Sequence, residues 1–528
     1  MLTNYIRIAV RSLRRRPGYA ALNLVGLAVG MACCLLIGLY VQNELSYDRF
    51  HPASDRIVRV AQATDDGGLA TIGDGIMPIL QNDIPQVERA VQVRESNSTL
   101  KLAREQDGTM TRFEEENVLF ADSTFFDVFA GFELRRGDPS TALSRPGTIV
   151  LTLETARRYF GDEDPMGKTL IREGEDDQEL TVTGVLEPIP ANSHLQFDFV
   201  TSMGTWFAAL GYPASYQSNS FWFPMAWTYA RLQPGADRAA VEQRIRETVA
   251  SKRRPEVAET YTPTLQSLTS IHLSSSLSGE PRGQGSLLQV YVFGAIALFV
   301  LLIAAVNFVN LATARATERS VEVGVRKSVG AQRGQLAGQF LGEALLLSLA
   351  AAALALLLTQ AALPVFTSIL GKDLSVGLWA NRGLWLGVVA IILGTGIGAG
   401  SYPAFVLSRF QPASVLKNTT STGRGQGTWL RKGLVVGQFA LSIALIAATA
   451  VAYSQLEYLR TARLGFDQEQ VVAMDAEGEY ETLKQELVQR PEVAGVTAAS
   501  ETPGLGGGMT YRYEINGQPP DDSEERLD

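Results

Sequence analysis

Hydrophobic and polar positions along this chain of 528 residues fall into two kinds of region. Five stretches are almost free of charge and reach roughly 20 residues, the length that an α-helix needs to cross a bilayer. These stretches are Tyr19–Val41, Leu287–Leu311, Phe340–Phe366, Leu384–Val406 and Leu434–Tyr453. Buried helices of a soluble protein rarely give five such stretches. The pattern therefore predicts an α-helical integral membrane protein with five transmembrane helices.

The long polar region between the first two apolar stretches, residues 42–286, has a mixed pattern. Thr148–Leu153 and Glu179–Leu186 are rich in Val, Ile and Thr and predict strands. Glu154–Phe160 and Asp237–Lys252 predict helices, the second following a Pro-Gly turn. A region of this length can bury its own core. We therefore expect a large α+β domain between helices 1 and 2.

The cations are concentrated in three short segments, although the net charge of the chain is −9. Residues 1–18, 315–333 and 407–433 together hold fifteen Lys and Arg residues but only two acids, Glu318 and Glu322. Cationic segments flanking membrane helices face the cytoplasm. The N-terminus is therefore predicted to be cytoplasmic, and residues 42–286 and everything after helix 5 to be extracytoplasmic.

These observations divide the chain into seven segments. In order they are a cytoplasmic N-terminus (1–18), helix 1 (19–41), the extracytoplasmic domain (42–286), a three-helix module (287–406), a cytoplasmic linker (407–433), helix 5 (434–453) and a second extracytoplasmic segment (454–528). A repeat is also suggested, because Leu430-Arg431-Lys432 precedes helix 5 much as Leu13-Arg14-Arg15-Arg16 precedes helix 1. The last segment is then expected to be the start of a second, incomplete domain. Either the chain is a fragment, or these residues form a reduced copy of the first domain.

Helix 1 has one alternative interpretation, a cleaved signal sequence. Its uncharged stretch is long for that role, and no A-x-A site precedes the polar region. The two cysteines of the chain, Cys33 and Cys34, lie in this helix, so the extracytoplasmic domain must fold without disulfides. A lipid-modified cysteine is a weaker alternative.

The charged stretch 315–331 between helices 2 and 3 is predicted to be a short helix. Glu322 and Arg326 have the spacing of a helical ion pair, and Gly330 suits a helix end with Arg326 and Lys327 in its last turn. Three valines at every fourth position form an apolar stripe: Val321, Val325 and Val329. The helix is suited to receive a push from a soluble partner. The alternative is an interfacial helix that only anchors two spans.

Some residues within the apolar stretches invite a functional interpretation. Glu343 is an intramembrane acid, which is a functional-site hypothesis by default. It lies about one turn from the predicted cytoplasmic surface, so we favour pairing with a nearby arginine such as Arg333. Several glycines are spaced for close helix approach, within the chain or across a dimer: Gly26, Gly30, Gly394 and Gly398, with Gly396 and Gly400.

Sequence motifs for catalysis are weak. Gly167-Lys168-Thr169 resembles the tail of a phosphate-binding loop, but the spacing from Gly161 is wrong and acids surround it. The acid cluster Glu173–Glu179 lacks calcium-loop spacing, and the three histidines, His51, His194 and His272, lack paired ligand spacing. No nucleophile–base constellation is evident. We predict no enzyme, no catalytic, cofactor or metal site, and no nucleic-acid partner.

Several strings together resemble MacB/FtsX-type ABC-transporter permeases. They are ELSYDRFHPASDRIVRV (Glu44–Val60), PANSHLQFDF (Pro190–Phe199), RSVEVGVRKSVGA (Arg319–Ala331), QFLGEALLLS (Gln339–Ser348) and YPAFVLSRFQPASVLK (Tyr402–Lys417). The resemblance covers essentially the whole chain. It implies a MacB-like periplasmic core domain at 42–286 and an FtsX-like permease domain at 287–406.

In that family the stretch between the second and third spans is a coupling helix that docks on a separately encoded ATPase. The resemblance assigns this role to Glu318, Arg319, Glu322, Gly324, Arg326, Lys327 and Gly330. ATP and Mg would then bind to the partner ATPase, with no cofactor on this chain.

The implied function is a permease subunit of the bacterial inner membrane. It would couple ATP hydrolysis by a cytoplasmic ATPase to a change in the extracytoplasmic domain, for efflux, export, or lipoprotein or peptide release. The alternative is an FtsX-like regulator of cell-wall hydrolases or signalling that transports nothing. Expected partners are the ATPase, a second permease in a homodimer or pseudo-dimer, membrane lipids and, for export, a periplasmic adaptor. Relatives often duplicate the arrangement to give eight spans, whereas this chain shows five.

Overall fold

The computed structural model describes residues 17–64, 67–96, 99–106, 109–173, 177–213, 226–252, 261–281, 284–372, 374, 381–409, 424–461, 471–472 and 480–497. Within these ranges only the backbone is described at residues 17, 19, 106, 313–324, 399, 402–409 and 424–431. The chain divides into two compact units, Met1–Ser442 and Ile443–Asp528.

Helices and strands are mixed up to residue 280, and the described elements after that residue are helices. The helices are α1 (Pro17–Leu45), α2 (Ile76–Asn82), α3 (Phe125–Val128), α4 (Leu153–Phe160), α5 (Met203–Ala209), α6 (Arg238–Lys252), α7 (Leu268–Ser274), α8 (Leu287–Ser328), α9 (Arg333–Leu370), α10 (Arg382–Arg409), α11 (Arg424–Thr461) and α12 (Tyr480–Val488). The strands are β1 (Ile57–Ala63), β2 (Val87–Glu95), β3 (Leu100–Gln106), β4 (Thr109–Glu115), β5 (Val118–Ala121), β6 (Leu134–Gly137), β7 (Thr148–Thr152), β8 (Thr169–Arg172), β9 (Gln178–Leu186), β10 (Phe199–Ser202), β11 (Trp227–Leu232) and β12 (Thr262–Ser267).

The residues between α1 and α8 form a sheet domain. Its described strands make one mixed sheet in the order β12-β1-β11-β2-β5-β10-β7-β9-β8-β3-β4, with β6 paired to β9. The pairs β5–β10 and β7–β9 are parallel, and the others are antiparallel. The α+β class is as predicted. The predicted strands and helices of this region are confirmed as β7, β9, α4 and α6 within two residues at each end.

Both faces of the sheet are covered by apolar side chains. Along β5, Leu119 and Phe120 point to opposite faces and join two different core clusters, and neighbouring strands follow the same alternation. One cluster is rich in aromatic rings, including Phe125, Phe129 and Tyr229. Burial on both faces explains the near-continuous apolar runs of the central strands β5 (VLFA) and β7 (TIVLT).

Helices α1, α8, α9 and α10 pack together as a bundle. Its core contains Leu27 and Met31 of α1, Ala351 and Ala355 of α9, and Val388 of α10. Small side chains on α9 let the backbones approach closely, which is how membrane helices associate when lipid is as apolar as the core. The bundle interior is therefore apolar over most of its described length.

Helix α8 differs from the prediction. The charged stretch expected to be a separate short helix is the continuation of α8, which runs without a break for 42 residues. The stretch 312–328 contains no proline and one glycine, so charge alone gives the helix no reason to end. The helix ends at Gly330, whose φ of +98° suits glycine, as the sequence predicted.

Four described helices are long and apolar enough to cross a membrane: Ala20–Leu45, Leu287–Ala312, Arg333–Leu370 and Lys432–Thr461. Helix α10, the predicted fourth span, has 28 residues, but its described apolar part is the shorter Arg382–Gly398. The described residues thus give four of the five predicted spans. In the second unit, α12 has no buried residue, and most of the predicted second domain lies outside the described residues.

Candidate functional site

The sheet domain meets the bundle at a buried ion cluster, which we call the domain junction: Glu44, Tyr47, His272, Gly285 and Lys372. Glu44 lies at the end of α1, and its carboxylate is fully buried. Its Oε2 accepts a hydrogen bond from Nε2 of His272, on α7 of the sheet domain, at 2.8 Å. Its Oε1 binds the Nζ of Lys372, which follows the end of α9. One carboxylate therefore connects α1, the sheet domain and α9.

Aromatic rings enclose this cluster. The ring of Tyr47 stacks on His272 with centroids 3.4 Å apart and planes 5° from parallel. The Lys372 ammonium lies 5.7 Å from the ring centroid of Tyr40 and 5.6 Å from that of Tyr47. A cation over two ring faces is held by the ring quadrupoles as well as by its counter-ion. The rings fix the geometry and restrict water.

Gly285, just before α8, completes the junction. A Cβ atom built on Gly285 would lie 2.6 Å from Nε2 of His272 and 2.7 Å from Oε2 of Glu44. The Gly285 amide also donates to the His272 carbonyl at 2.9 Å. A side chain here would separate the histidine from the carboxylate, so the position requires glycine.

A second polar cluster continues from α1 into the sheet domain. Asp48 Oδ1 accepts from both the backbone amide and Nδ1 of His194, at 3.1 and 2.8 Å. The other ring nitrogen, Nε2, accepts from the Tyr229 hydroxyl at 2.8 Å. Burial raises the pKa of Tyr229, which keeps this phenol protonated as a donor. Both ring nitrogens are thus used in holding the fold, and no nucleophile is activated.

Asp48 adopts a left-handed backbone conformation, with φ of +59°, that is uncommon for residues other than glycine. Its amide donates to the Asn192 carbonyl at 2.9 Å, and the Asn192 side chain donates to the Ser46 carbonyl at 3.0 Å. These bonds offset the cost of the conformation. Two sequence strings 146 residues apart, which begin at Glu44 and Pro190, therefore fold against each other.

The connector between α7 and α8 is also fixed to the sheet domain. Arg59 of β1 has a fully buried side chain and binds both carboxylate oxygens of Glu280, at 2.5 and 2.6 Å. The Trp227 indole donates to the Gly279 carbonyl at 2.8 Å. A buried bidentate pair of this kind fixes the relative orientation of the two side chains and compensates both charges. The chain therefore enters α8 from a rigid support.

A cavity of about 300 Å³ lies beside the junction, between the sheet domain and the ends of α1 and α9. Its lining is mainly polar and includes Asn43, Gln196, Glu280 and Lys372. The charged groups of this lining already have partners, so the cavity provides space rather than unpaired charge.

The opposite end of the bundle has a different polar contact, which we call the distal link: Arg326, Gln339 and Glu343. Arg326, in the last turn of α8, donates from Nη1 to Gln339 Oε1 on α9 at 2.7 Å. The Gln339 amide then donates to Glu343 Oε1 at 3.1 Å. Glu343, expected to pair with an arginine such as Arg333, thus reaches Arg326 through a neutral amide.

The remaining predicted coupling residues lie on the same end of α8. Glu318, Arg319, Glu322 and Gly324 are helical, but their side chains lie outside the described residues. Lys327 is partly buried, and desolvation together with the nearby Arg333 lowers its pKa. The structure therefore joins one predicted coupling residue, Arg326, to the predicted intramembrane acid.

The predicted packing glycines behave differently from one another. A Cβ on Gly30 would lie 2.6 Å from Ala304 Cβ, so α1 and α8 cross closely there, and one on Gly26 would lie 3.6 Å from the Asn307 side chain. Gly394 and Gly398 have open space beside them. Two neighbours, Gly396 and Gly400, make the close contacts with α9 instead. Among the described residues, α10 therefore packs on α9 through Gly396 and Gly400 rather than through Gly394 and Gly398.

Sequence reasoning missed the domain junction. The histidines were judged only as metal ligands, whereas His194 and His272 each bind a single buried carboxylate. The available signal was Glu44, a charged residue directly after an apolar span, followed by the Tyr-Asp pair of the same string.

Two family models match the chain. The MacB-like periplasmic core domain matches residues 20–248, and the FtsX-like permease C-terminal domain matches residues 294–412. Together the two ranges cover more than half of the chain. No match was found among curated proteins.

Solved structures of external domains are similar to part of the chain. A domain of a permease protein from Porphyromonas gingivalis is 27% identical, with 41% of this chain and 92% of that chain covered and a TM-score of 0.35. The periplasmic region of MacB from Actinobacillus actinomycetemcomitans is 13% identical, covering 42% and 92%, with a TM-score of 0.31. The extracellular domain of the noncanonic ABC-type transporter YknZ from Gram-positive bacteria is 13% identical, covering 40% and 99%, with a TM-score of 0.28.

The apolar helices and the sheet domain define a multi-pass membrane protein with a large periplasmic-type domain. The chain belongs to the family of MacB/FtsX-type ABC-transporter permeases. Permease components of such systems are generally non-catalytic subunits.

Proposed function

We propose that this chain is the membrane subunit of an ABC transporter that converts ATP hydrolysis by a separate cytoplasmic ATPase into movement of the sheet domain. In this proposal the chain crosses the membrane five times, with α10 as the fourth span. Its N-terminus is cytoplasmic, and the sheet domain is extracytoplasmic. Two permease subunits assemble with two ATPase subunits, as is general in this family.

The observation that carries the proposal is the distal link. The ATPase would dock on the cytoplasmic end of α8, where the described valines of the predicted stripe, Val325 and Val329, are 49% and 83% exposed. Arg326 in the same turn is bonded to Gln339 of α9. A displacement of this end of α8 would therefore act directly on α9.

Helix α9 is suited to carry that displacement across the membrane. It runs from Arg333 to Leu370, with the distal link near its start and Lys372 just after its end. At 1.5 Å per residue, Glu343 and Lys372 are separated by about 40 Å, more than the hydrocarbon thickness of a bilayer. The helix begins with a reciprocal Gln332–Gln335 capping interaction and ends at Gly371 with φ of +61°. Both ends are defined, and Pro364, near the end of the helix, removes one backbone hydrogen bond from the otherwise continuous helix.

The apolar interior of the bundle supports mechanical action on the outer side of the membrane rather than a path through one subunit. The four helices meet mainly through Leu, Ala and Met side chains, with a few small polar side chains such as Ser348 and Thr395 hydrogen-bonded between them, and the charged contacts described above lie at the two ends. The substrate would then be handled by the sheet domain. The size of that domain favours an export role over the FtsX-like regulatory alternative.

Co-purification tests the proposal. The tagged chain, solubilised from its native membrane, should retain an ATPase carrying a phosphate-binding loop, identified by mass spectrometry. Glu322→Lys reverses a charge on the cytoplasmic end of α8, the proposed docking surface. Gly324→Pro breaks α8 in the same region. Both variants should therefore lose the ATPase while still inserting into the membrane. Glu247→Lys, on an exposed helix of the sheet domain, is the matched control. ATPase recovery that is equal in all four proteins would contradict the proposal.

A further inference from the structure

We propose that the domain junction is the joint through which α9 positions and moves the sheet domain, with Glu44, His272 and Lys372 as positioning residues. This inference rests on the proposed function for the movement itself. The geometry of the joint stands independently of the identity of the ATPase.

Three parts of the molecule that are distant in sequence meet at one carboxylate. His272 is 228 residues from Glu44, and Lys372 is 328 residues from it. Glu44 belongs to α1, His272 to the sheet domain, and Lys372 to the end of α9. A movement of α9 along its axis would therefore pull on the carboxylate that the sheet domain also holds.

The burial of the cluster makes this contact strong. The side chains of Glu44 and His272 are 0% and 5% exposed, and that of Lys372 is 30% exposed. Separating the fully buried Glu44 carboxylate from its cation would leave a buried charge without compensation. The carboxylate therefore follows the ammonium, and the sheet domain follows through His272.

The cavity leaves room for movement at Lys372, whereas side-chain contacts hold the connector between α7 and α8 in place. The connector to α8 is fixed by the Arg59–Glu280 pair and by Trp227, so it moves with the sheet domain. The cavity of about 300 Å³ borders Lys372, Gly371 and the connector. Space on this side of the junction lets the end of α9 shift without displacing packed side chains.

The first experiment tests the joint without ATP or ATPase. In a background with Cys33→Ala and Cys34→Ala, Ser276→Cys on the connector and Ser368→Cys on α9 are spin-labelled, since both serines are exposed. The chain is placed in lipid nanodiscs, and the distance between the labels is measured by pulsed electron resonance. The parent should give one narrow distance.

Three substitutions at lysine positions separate a joint from a general charge effect. Lys372→Gln removes the cation and should broaden the distance distribution, whereas Lys372→Arg keeps the cation and should restore the narrow distance. Lys252→Gln is the control, because Lys252 binds Asp83 at 2.6 Å within the sheet domain. Glu44→Gln, which keeps the side-chain shape, provides a second variant with broadening in the same direction. A Lys372→Gln distribution that superimposes on the parent overturns the joint.

The second experiment adds the companion ATPase with ATP and vanadate. The label distance should shift in the parent and in Lys372→Arg. In Lys372→Gln the ATPase should remain bound and hydrolyse ATP, but the shift should be lost. A full shift in Lys372→Gln would also overturn the inference. Failure of the ATPase to bind the parent would instead refute the proposed function, and the first experiment would still decide the joint.

Discussion

The two ends of α9 make contact with the rest of the molecule by different chemistry. At the domain junction, Lys372 binds a fully buried carboxylate between aromatic rings. At the distal link, Arg326 reaches Glu343 through the neutral amide of Gln339. Breaking the contact of Lys372 would leave a buried carboxylate without its cation, whereas the contact at the other end runs through a neutral amide, which costs less to break. The comparison indicates a fixed end of α9 at the sheet domain and an adjustable end at the last turn of α8, where a weaker contact still links the two helices.

The largest expected effect on stability follows from loss of the Arg59–Glu280 pair, which holds the connector between α7 and α8 beside the domain junction. Arg59→Met should lower the free energy of unfolding by about 3–5 kcal/mol, because the Glu280 carboxylate is left buried without its cation. The double variant Arg59→Met with Glu280→Met should recover most of this loss. Urea unfolding of the full chain in detergent, followed by tryptophan fluorescence, measures both. A single variant as stable as the parent would show that the connector is not held by this pair.

The next effect is a dependence on pH in the sheet domain. Burial lowers the pKa of His51 from 6.5 to about 4. The neutral ring accepts from the Gly131 amide at 3.1 Å. The stability that this group contributes is present above pH 6.5 and is lost as the pH falls through 4, up to about 3 kcal/mol. His51→Gln, measured by thermal unfolding between pH 4 and 7, should remove this acid-induced loss.

Asp122 should change the stability with pH in the opposite direction to His51, and it therefore serves as a control. Desolvation raises the pKa of Asp122 from 3.8 to about 6, despite the hydrogen bond from the Gln92 amide. Its contribution to stability is present below pH 3.8 and is lost as the pH rises through 6. The two slopes oppose each other in the parent. Asp122→Asn should therefore leave a steeper acid-induced loss, and equal profiles for the two variants would refute the assignment.

A smaller effect is expected at the adjustable end. Gln339→Leu removes the relay but leaves Arg326 near the surface of the bundle, where it can be hydrated. The loss in stability should be about 1–2 kcal/mol, well below that of Arg59→Met. Thermal unfolding of the full chain in detergent measures it. A loss as large as at the fixed end would remove the contrast between the two ends.

The smallest effect is expected on the exposed face of α6. Arg246 and Glu242 form an i,i+4 pair at 2.6 Å with side chains 44% and 25% exposed. Such pairs contribute about 0.3–0.5 kcal/mol. Arg246→Gln removes this pair together with the hydrogen bond from Arg246 Nε to the Pro263 carbonyl, so the loss in stability, measured from the unfolding midpoint, should be at most about 1 kcal/mol and should fall at high salt. A change comparable to that of Gln339→Leu would mean that burial does not determine the order of the effects of these variants on stability.

The sequence predicted the parts of the fold that depend on local pattern. The length of the uncharged runs identified α1 and α9, and the content of Val, Ile and Thr identified β7 and β9, because both signals lie in neighbouring residues. The length of α8 was not predicted, since a change from apolar to charged residues was interpreted as the end of a helix. Helix continuity depends on backbone propensity, and apart from Gly324 the stretch 312–328 contains no strong helix breaker.

The domain junction could not be predicted in the same way. Glu44 is 228 residues from His272 and 328 from Lys372, and nothing local in any of the three marks the other two. The requirement for glycine at Gly285 is evident only when the His272 ring and the Glu44 carboxylate are placed beside it. Long-range convergence of this kind is set by the tertiary fold. By contrast, Arg326 and Glu343 lie on adjacent helices close in sequence, and pairing of Glu343 with an arginine of this region was predicted, although Arg333 was the residue named.

The central claim is that α9 carries movement from the distal link to the domain junction. Its most direct test is the distance between labels at Ser276→Cys and Ser368→Cys, with ATPase, ATP and vanadate bound, in the parent and in Gln339→Leu. The claim predicts a shift in the parent and none in Gln339→Leu, although the ATPase remains bound in both. An equal shift in the two proteins would contradict it.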